Sequence, residues 1–357
     1  IYMSKDALYI TYLRQKTQTQ IVMDFLAAEA DQFFDPATAE KIQQLPSQEL
    51  SHHEKRERLA SIIDNATRNM TYEQRQQFQR QIENAFENYT RKHRRDFTTT
   101  GIVKIPAGNI RPAATGTVPG RILNQFSIDE YRNHLRVATT VGIPGSFTSR
   151  GSVNDVYVLD QRLSRTGAVQ GLGLNERIYA VRFIRDHGYV VTFRRIDPLH
   201  VLDLSQPSSP TLKGTLKLPG FSSYLHPLSQ DRILGIGEED GRVKAVVFDV
   251  SNASSPVVED DLILEDYSSQ ISQTHHAFMI DRKHKVFFLP GTSTGYIISY
   301  RDELEIVKTV PVQEPLRARY VNDYLYIFGS TQLTVVDETN WTIVDTVQLT
   351  EQRRVYR

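Results

Sequence analysis

Residues 178–218, IYAVRFIRDHGYVVTFRRIDPLHVLDLSQPSSPTLKGTLKL, decide the fold because they contain four strand patterns in a row. The predicted strands are residues 178–184, 189–193, 199–204 and 211–218. Apolar and polar residues alternate along the first two, and Pro, Gly, Asp and Ser separate all four. Period-two alternation broken by such residues is typical of an antiparallel meander. We therefore predict a four-stranded antiparallel sheet for this stretch.

The same unit recurs along the chain, since residues 221–264 repeat its order of parts. Aligning the third strands places four aspartates on one register: Asp160, Asp203, Asp249 and Asp337. Their spacings are 43, 46 and 88 residues, and Tyr300 fills the place skipped in the longest. A four-stranded repeat of about 40–50 residues is the period of a β-propeller blade. We predict that each aspartate closes the turn between third and fourth strands by side-chain to backbone hydrogen bonds. This interpretation is favoured over a catalytic role, because a catalytic residue need not recur in every blade.

The first blade is interrupted by a segment with a different period. Residues 1–4 and 7–13 match its first two strands, but the third and fourth patterns return only after residue 97. In between, apolar residues lie three and four apart, which is the helical spacing. We predict three or four helices there, the last two forming an antiparallel hairpin, with capped starts near Ser47 and at Thr71.

The predicted fold class is all-β, a β-propeller of four-stranded antiparallel blades with a helical insertion in its first blade. Residues 1–16 and 98–357 form the propeller, and residues 17–97 form the α-helical insertion. Six blades can be traced in the sequence. Because the sequence opens directly on a strand, we expect upstream sequence and a complete ring of seven or eight blades.

Composition narrows the classes of partner. Lys plus Arg equals Asp plus Glu at 42 each, so no overall field recruits nucleic acid or a membrane surface. No apolar run approaches 18 residues, which predicts no transmembrane helix in this chain. With no cysteines, neither disulfides nor thiolate metal sites are available.

One local basic cluster, RKHRR at residues 91–95, stands against this neutral background. With Tyr89 and Phe97 nearby, it could touch nucleic acid or another anionic surface. We favour a solvated helix end, because cations are stabilised at a helix C-terminus.

Five N-x-Ser/Thr sequons make glycosylation a hypothesis, at Asn65, Asn69, Asn88, Asn252 and Asn340. Such a triplet marks a glycan acceptor only in an exported protein. Three of the five fall in the helical insertion, which would then be a decorated outer face. The alternative is that Asn and Thr are simply common in this polar segment.

The sequence resembles a family of secreted bacterial and archaeal proteins that have a C-terminal β-propeller distantly related to WD repeats. The resemblance rests on NERIYAVRF at residues 175–183, on residues 190–228 and on LGIGEEDGRVKAVVFDVSNASSP at residues 234–256. It covers most of residues 116–290 and implies export and a propeller, but no reaction. At His275-His276-Ala277-Phe278 the family tends to show an Asp-His-Lys-Ala-Phe-like run, so a role for that acidic residue does not carry over.

Candidate site residues are the polar residues of first strands, which line the central channel of a propeller. They are Asp129, Glu130, Arg182, His226, His275, His276, Arg317 and Arg319. Because neighbouring residues on a strand point to opposite faces, only one of His275 and His276, and one of Asp129 and Glu130, is expected to face the channel. For His226 we favour a packed, hydrogen-bonded ring over a ligand. No cofactor is predicted, and a metal ion in the channel would need three or more converging ligands.

Two functions follow. The first, which the sequence favours, is a non-enzymatic, exported module at the cell surface or outside the cell. Its helical insertion docks onto a protein partner at the cell envelope, or onto further copies of the chain. The second is an enzyme, or a small-ligand or metal-binding propeller, that uses the channel mouth. Fold alone does not decide between them, since propellers host many unrelated functions.

Overall fold

The computed structural model describes residues 1–144, 151–193 and 197–349. Residues 145–150, 194–196 and 350–357 lie outside the described part, and with them the end of the predicted propeller segment. The chain divides into two compact units, Ile1–Arg177 and Ile178–Arg357.

The described residues of the first unit form two sheets and four α-helices. Its first sheet consists of β1 (Tyr2–Met3), β2 (Ala7–Gln15), β3 (Thr98–Pro106) and β4 (Ala114–Pro119). Its second sheet consists of β5 (Ile128–Tyr131), β6 (His134–Val141), β7 (Val153–Leu159) and β8 (Arg165–Leu172). The helices are α1 (Gln18–Glu29), α2 (Pro36–Gln44), α3 (His52–Thr67) and α4 (Tyr72–His93). All four helices therefore lie between β2 and β3.

The second unit contains four sheets. The third sheet of the chain consists of β9 (Arg177–Ile184), β10 (His187–Phe193), β11 (Asp197–Asp203) and β12 (Thr211–Leu218). The fourth consists of β13 (Phe221–Pro227), β14 (Arg232–Glu239), β15 (Arg242–Asp249) and β16 (Val257–Ile263). The fifth consists of β17 (Met279–Asp281), β18 (Val286–Pro290), β19 (Thr294–Ser299) and β20 (Glu305–Pro311). The sixth consists of β21 (Pro315–Val321), β22 (Tyr324–Gly329), β23 (Gln332–Asp337) and β24 (Thr342–Gln348).

Every sheet is a meander whose four strands pair in the order of the sequence. In the second and fifth sheets all residues of the inner strands β7 and β18 are buried, whereas in the sixth sheet every residue of the outermost strand β24 is exposed. Six four-stranded antiparallel sheets of this kind are propeller blades. The predicted fold class is therefore confirmed.

A β-bulge and a turn recur together at the end of the third strand. In five sheets the register between third and fourth strands shifts one to two residues before the turn residue. An aspartate at that position accepts a hydrogen bond from the backbone N–H of the residue two positions later in the chain. The four aspartates are Asp160, Asp203, Asp249 and Asp337. Hydrogen bonds with Ser205, Ser251 and Thr339 lower the pKa of three of these carboxyls, Asp203, Asp249 and Asp337 respectively.

The predicted role of these aspartates in closing the turn is thus confirmed, with one correction. In the fifth sheet the bulge lies between Ile297 and Ile298, which places Ser299 on the register instead of Tyr300. The Ser299 hydroxyl accepts from the N–H of Arg301 at 3.2 Å and so replaces the carboxylate. A hydroxyl makes the same turn more weakly than a carboxylate.

The helical insertion has a core of its own. Met23, Phe25, Leu26, Ala39, Ile42, Leu45 and Leu59 form a buried cluster, against which α3 and α4 place their apolar stripes. Capping boxes start α1 at Thr17, α3 at Ser51 and α4 at Thr71. The cap predicted at Thr71 is confirmed. Ser47 instead lies in a short 3-10 helix, and α3 begins at His52 with Ser51 as its cap.

Candidate functional site

The two predicted acidic candidates of the first unit are tied into ion pairs. Asp129 accepts from Arg136, whose Nε lies 3.0 Å from its Oδ2. Glu130 accepts from Lys104 Nζ at 3.1 Å and from the Ser4 hydroxyl. Burial acts to raise the pKa of Glu130, but hydrogen bonds from Ser4, Tyr9 and Lys104 outweigh it and the pKa is lowered. Both carboxylates therefore act as fixed structural anions of the first and second sheets.

Arg182 is also held by the protein. Its Nε and Nη2 donate to the carbonyl oxygen of Leu225 at 2.9 and 2.7 Å, and its guanidinium lies 5.6 Å from the ring centroid of Tyr224. This arginine joins β9 to β13, so it fixes the spacing between the first strands of the third and fourth sheets.

Four of the remaining candidates meet at one pocket of about 570 Å³ in the second unit. It is lined by Tyr224, His226, His275, His276, Phe278, Met279, Ile280, Arg319 and Tyr320. These residues come from β13, from β17 with the turn before it, and from β21. Arg317, also exposed on β21, is not among the lining residues. We refer to this feature as the histidine pocket.

His226 is the most constrained side chain of the histidine pocket. Its Nδ1 lies 3.1 Å from the Tyr224 hydroxyl, and its Nε2 is buried without a hydrogen-bond partner. Burial, reinforced by Arg182 and Arg282, lowers the pKa of His226 to about 4. The ring is therefore neutral at pH 7, and where Tyr224 donates to Nδ1, Nε2 carries the ring proton.

His275 and His276 both line the histidine pocket, and the strand alternation behind the expectation that only one of them faces the channel does not apply to them. That expectation assumed a strand, but the two residues lie in a 3-10 helix, His275–Ala277, capped by the Thr274 side chain. Their ring centroids are 4.0 Å apart. Burial lowers the pKa of His275, with His276 and Arg182 adding to the effect.

A site that sequence reasoning missed ties the helical insertion to the second sheet. Arg95 donates to Asp155 of β7 through Nε at 2.8 Å and Nη2 at 3.0 Å. The Asp155 side chain is fully buried and also accepts from the Tyr157 hydroxyl at 2.7 Å and the Gly171 N–H at 2.8 Å. The basic cluster at residues 91–95 was predicted to be a solvated helix end. Its Arg95 instead also makes this structural contact. The signal was the one acidic residue, Asp155, within the strand VNDVYVL.

The five sequon asparagines are all exposed. Asn65 and Asn88 lie within α3 and α4, where their side chains accept from Arg68 and Arg91. The other three, Asn69, Asn252 and Asn340, lie in turns or bends. Only the latter three have the surface-loop context of a glycan acceptor.

None of the helices in the described ranges is long and apolar enough to cross a membrane.

Comparisons with known proteins relate the chain to one family. Residues 1–341 match the family described as beta propeller domain. An uncharacterized protein of Archaeoglobus fulgidus is 41% identical over 349 residues, which cover 98% of this chain and 55% of that protein. A second, of Methanocaldococcus jannaschii, is 36% identical over 352 residues, covering 98% and 56%. The chain thus spans about half the length of the curated relatives it matches.

Solved structures show more distant similarity. The dihydro-heme d1 dehydrogenase NirN in complex with DHE has a TM-score of 0.49 and 14% identity, over 71% of this chain and 54% of that one. Apo AztD from Citrobacter koseri has a TM-score of 0.48 and 14% identity, over 71% and 68%. The C-terminal WD40 domain of Sif2 has a TM-score of 0.42 and 9% identity, over 71% and 67%. At these values none of the three says what this chain binds.

Proposed function

Because the chain belongs to the beta propeller domain family, we propose that it is an exported interaction module whose helical insertion docks onto a protein partner at the cell envelope. One observation carries the proposal. The insertion is a separate helical body, with its own core, that is fixed to the second sheet by the buried contact between Arg95 and Asp155. A segment held at a fixed orientation loses less conformational entropy on binding than a flexible loop.

The surface of the insertion supports this role. Only Leu59 and Thr67 of α3, and Thr90 of α4, are buried. The polar faces of two helices, 16 and 22 residues long, are therefore available to a partner. The export part of the proposal rests on the resemblance to secreted proteins, and the exposure of the sequon asparagines is compatible with it.

Replacing residues 17–96 with Asn-Gly is expected to abolish partner assembly while leaving the sheets folded. Gln15 pairs with Thr98, and the Lys16 N–H donates to the Phe97 carbonyl at 2.8 Å, so a two-residue turn can join the strands directly. The variant also carries Asp155→Asn, because removing Arg95 leaves that carboxylate buried without its cation. Native mass spectrometry of the protein from its own source measures the assembly.

The matched control is the full chain with Asp155→Asn alone. It keeps the insertion but weakens its contact with the second sheet, so it is expected to retain at least part of the assembly that the replacement abolishes. Circular dichroism shows whether the sheets of the replacement variant are folded. If they are folded and the mass of the assembly is unchanged, the proposal is contradicted.

A second candidate function, binding of a small anionic ligand, is favoured by the buried, unpartnered Nε2 of His226. A ligand oxygen in the histidine pocket would satisfy it, and an unmade hydrogen bond of a buried group is costly. Arg319 supplies a cation at the rim and Phe278 an apolar wall. Most pockets that bind small molecules combine such apolar walls with a few polar groups.

Arg319→Ala is expected to weaken binding of inorganic phosphate to the histidine pocket at least about tenfold, the loss typical of a charged hydrogen bond. Phosphate is titrated while the histidine ring signals are followed by NMR. Arg317→Ala is the control, since Arg317 is exposed on the same strand without lining the pocket. These exposed arginines are better probes than Arg182, whose loss would disturb packing. Equal affinities for both variants, or no shift of the His226 signal, would exclude this function for phosphate-like anions.

A further inference from the structure

Two carboxylates and an imidazole converge where the fifth sheet meets the sixth. Asp281 ends β17, His284 lies in the turn between β17 and β18, and Glu338 follows β23. One potential ligand atom from each lies within 4.8 Å of the other two. None of the three lines the histidine pocket. No local sequence pattern brings the three together, because Glu338 is 54 residues from His284.

Glu338 is the anomaly in this cluster. Its side chain is fully buried, and neither oxygen of its carboxylate accepts a hydrogen bond from a donor group. The one carboxyl that can share a proton with it belongs to another acid, Asp281. Its backbone N–H donates to the Asp323 carbonyl at 2.8 Å, which fixes the position of the residue. The imidazole Nδ1 of His284 lies 3.8 Å from Oε2, which is beyond hydrogen-bond distance. A buried carboxyl without partners is strongly disfavoured unless something else satisfies it.

The surroundings of His284 match those of a metal ligand. Its Nδ1 faces the cluster, 2.5 Å from Asp281 Oδ2, while its Nε2 lies 3.2 Å from Asp323 Oδ1. A metal-binding histidine commonly donates its other ring N–H to a carboxylate, which fixes the tautomer and orients the ring. Asp323 is itself held by Lys283, and the indole of Trp341 lies edge-on with its centroid 6.3 Å from that of the imidazole.

We propose that Asp281, His284 and Glu338 bind a divalent first-row transition metal ion that joins the fifth and sixth sheets. One nitrogen and two oxygen donors suit Zn²⁺ or Mn²⁺, with water completing the coordination. Zn²⁺ takes such donors at about 2.0–2.2 Å, which spaces tetrahedral ligand atoms about 3.3 Å apart. The ion therefore replaces the hydrogen bond between Asp281 and His284, displaces any proton on Nδ1, and supplies the partner that Glu338 lacks.

The experiment uses the full chain, stripped with a chelator and titrated with Zn²⁺ or Mn²⁺ by calorimetry and thermal unfolding. One equivalent of Zn²⁺ is expected to bind and to raise the Tm by about 4 °C at a hundredfold excess over Kd. Glu338→Gln is expected to reduce the affinity at least about tenfold. Glu305→Gln, the same change at an exposed position on β20, is expected to bind like the unaltered chain.

Substoichiometric binding, or no rise in Tm with either ion, overturns the proposal whatever the variants do. The same holds if Glu338→Gln folds and binds Zn²⁺ as tightly as Glu305→Gln. Should Glu338→Gln fail to fold, Co²⁺ bound to the unaltered chain gives the second readout, since visible absorption of a low-symmetry site supports the proposal and that of the hexaaqua ion contradicts it.

Discussion

Asp155→Ala is expected to lower the free energy of unfolding of the first unit by about 3 kcal/mol, because it breaks a buried, bidentate ion pair. The carboxylate is fully buried and collects four hydrogen bonds, two of them from Arg95. Its loss leaves the Tyr157 hydroxyl and the Gly171 N–H without this acceptor. Urea unfolding, followed by circular dichroism, measures the loss.

The same contact can be tested from the other side. Arg95→Ala strands a buried carboxylate and is expected to cost a similar amount. The double variant is expected to cost clearly less than the sum of the two, since each single change already removes the pair. Asp64→Ala is the matched control, because its pair with Arg68 is exposed on α3 and exposed pairs contribute little. Additive losses would show that Arg95 does not fix the insertion.

The fold was predictable because the signals of the repeat lie within short stretches of sequence. Alternation, turn residues and the recurring Asp at the end of the third strand each follow from short-range chemistry. The one error in the register, Tyr300 for Ser299, arose where a hydroxyl replaces the carboxylate. The capping box at Thr71 was predictable for the same reason, since its partners are three residues apart.

The candidate site was less predictable because it depends on contacts between distant segments. His275 and His276 were assigned to a strand, but a capped 3-10 turn places both rings at one pocket. Arg95 and Asp155 are 60 residues apart, and no local pattern pairs them. Likewise, the orphaned carboxyl of Glu338 is visible only when burial and partners are known atom by atom. Sequence periodicity shows which face a residue occupies, not which residue it meets.

Lowering the pH from 7 to 5 is expected to destabilise the second unit by about 2 kcal/mol for each of two histidines, His200 and His226. Burial lowers the pKa of both to about 4, from 6.5 in the unfolded chain. Between these values the unfolded state binds more protons than the folded state, so stability rises with pH. The stability is complete above pH 6.5 and is lost as the pH falls toward 4.

The geometry of His200 explains why its ring stays neutral. It is 6% exposed, and its two nitrogens lie 3.2 and 3.1 Å from the hydroxyls of Thr192 and Thr215. One hydroxyl can donate to the unprotonated nitrogen while the other accepts from the protonated one, which satisfies a neutral imidazole. Two uncharged hydroxyls give a buried imidazolium no opposite charge, so burial disfavours the charged ring. No carboxylate is among these partners to stabilise the charged form.

His200→Gln and His226→Gln are each expected to reduce the stability difference between pH 7 and pH 5 by about 2 kcal/mol. Urea unfolding at pH 7 and at pH 5 gives the free energy of unfolding of each variant at both values. The change with pH is then taken within each variant, so any stability lost through altered packing cancels. His52→Gln, an exposed histidine on α3, serves as the control and is expected to retain the full pH dependence. If both buried-site variants retain it as well, the two rings accept protons without unfolding, and the histidine pocket then presents His226 as a cation at pH 5.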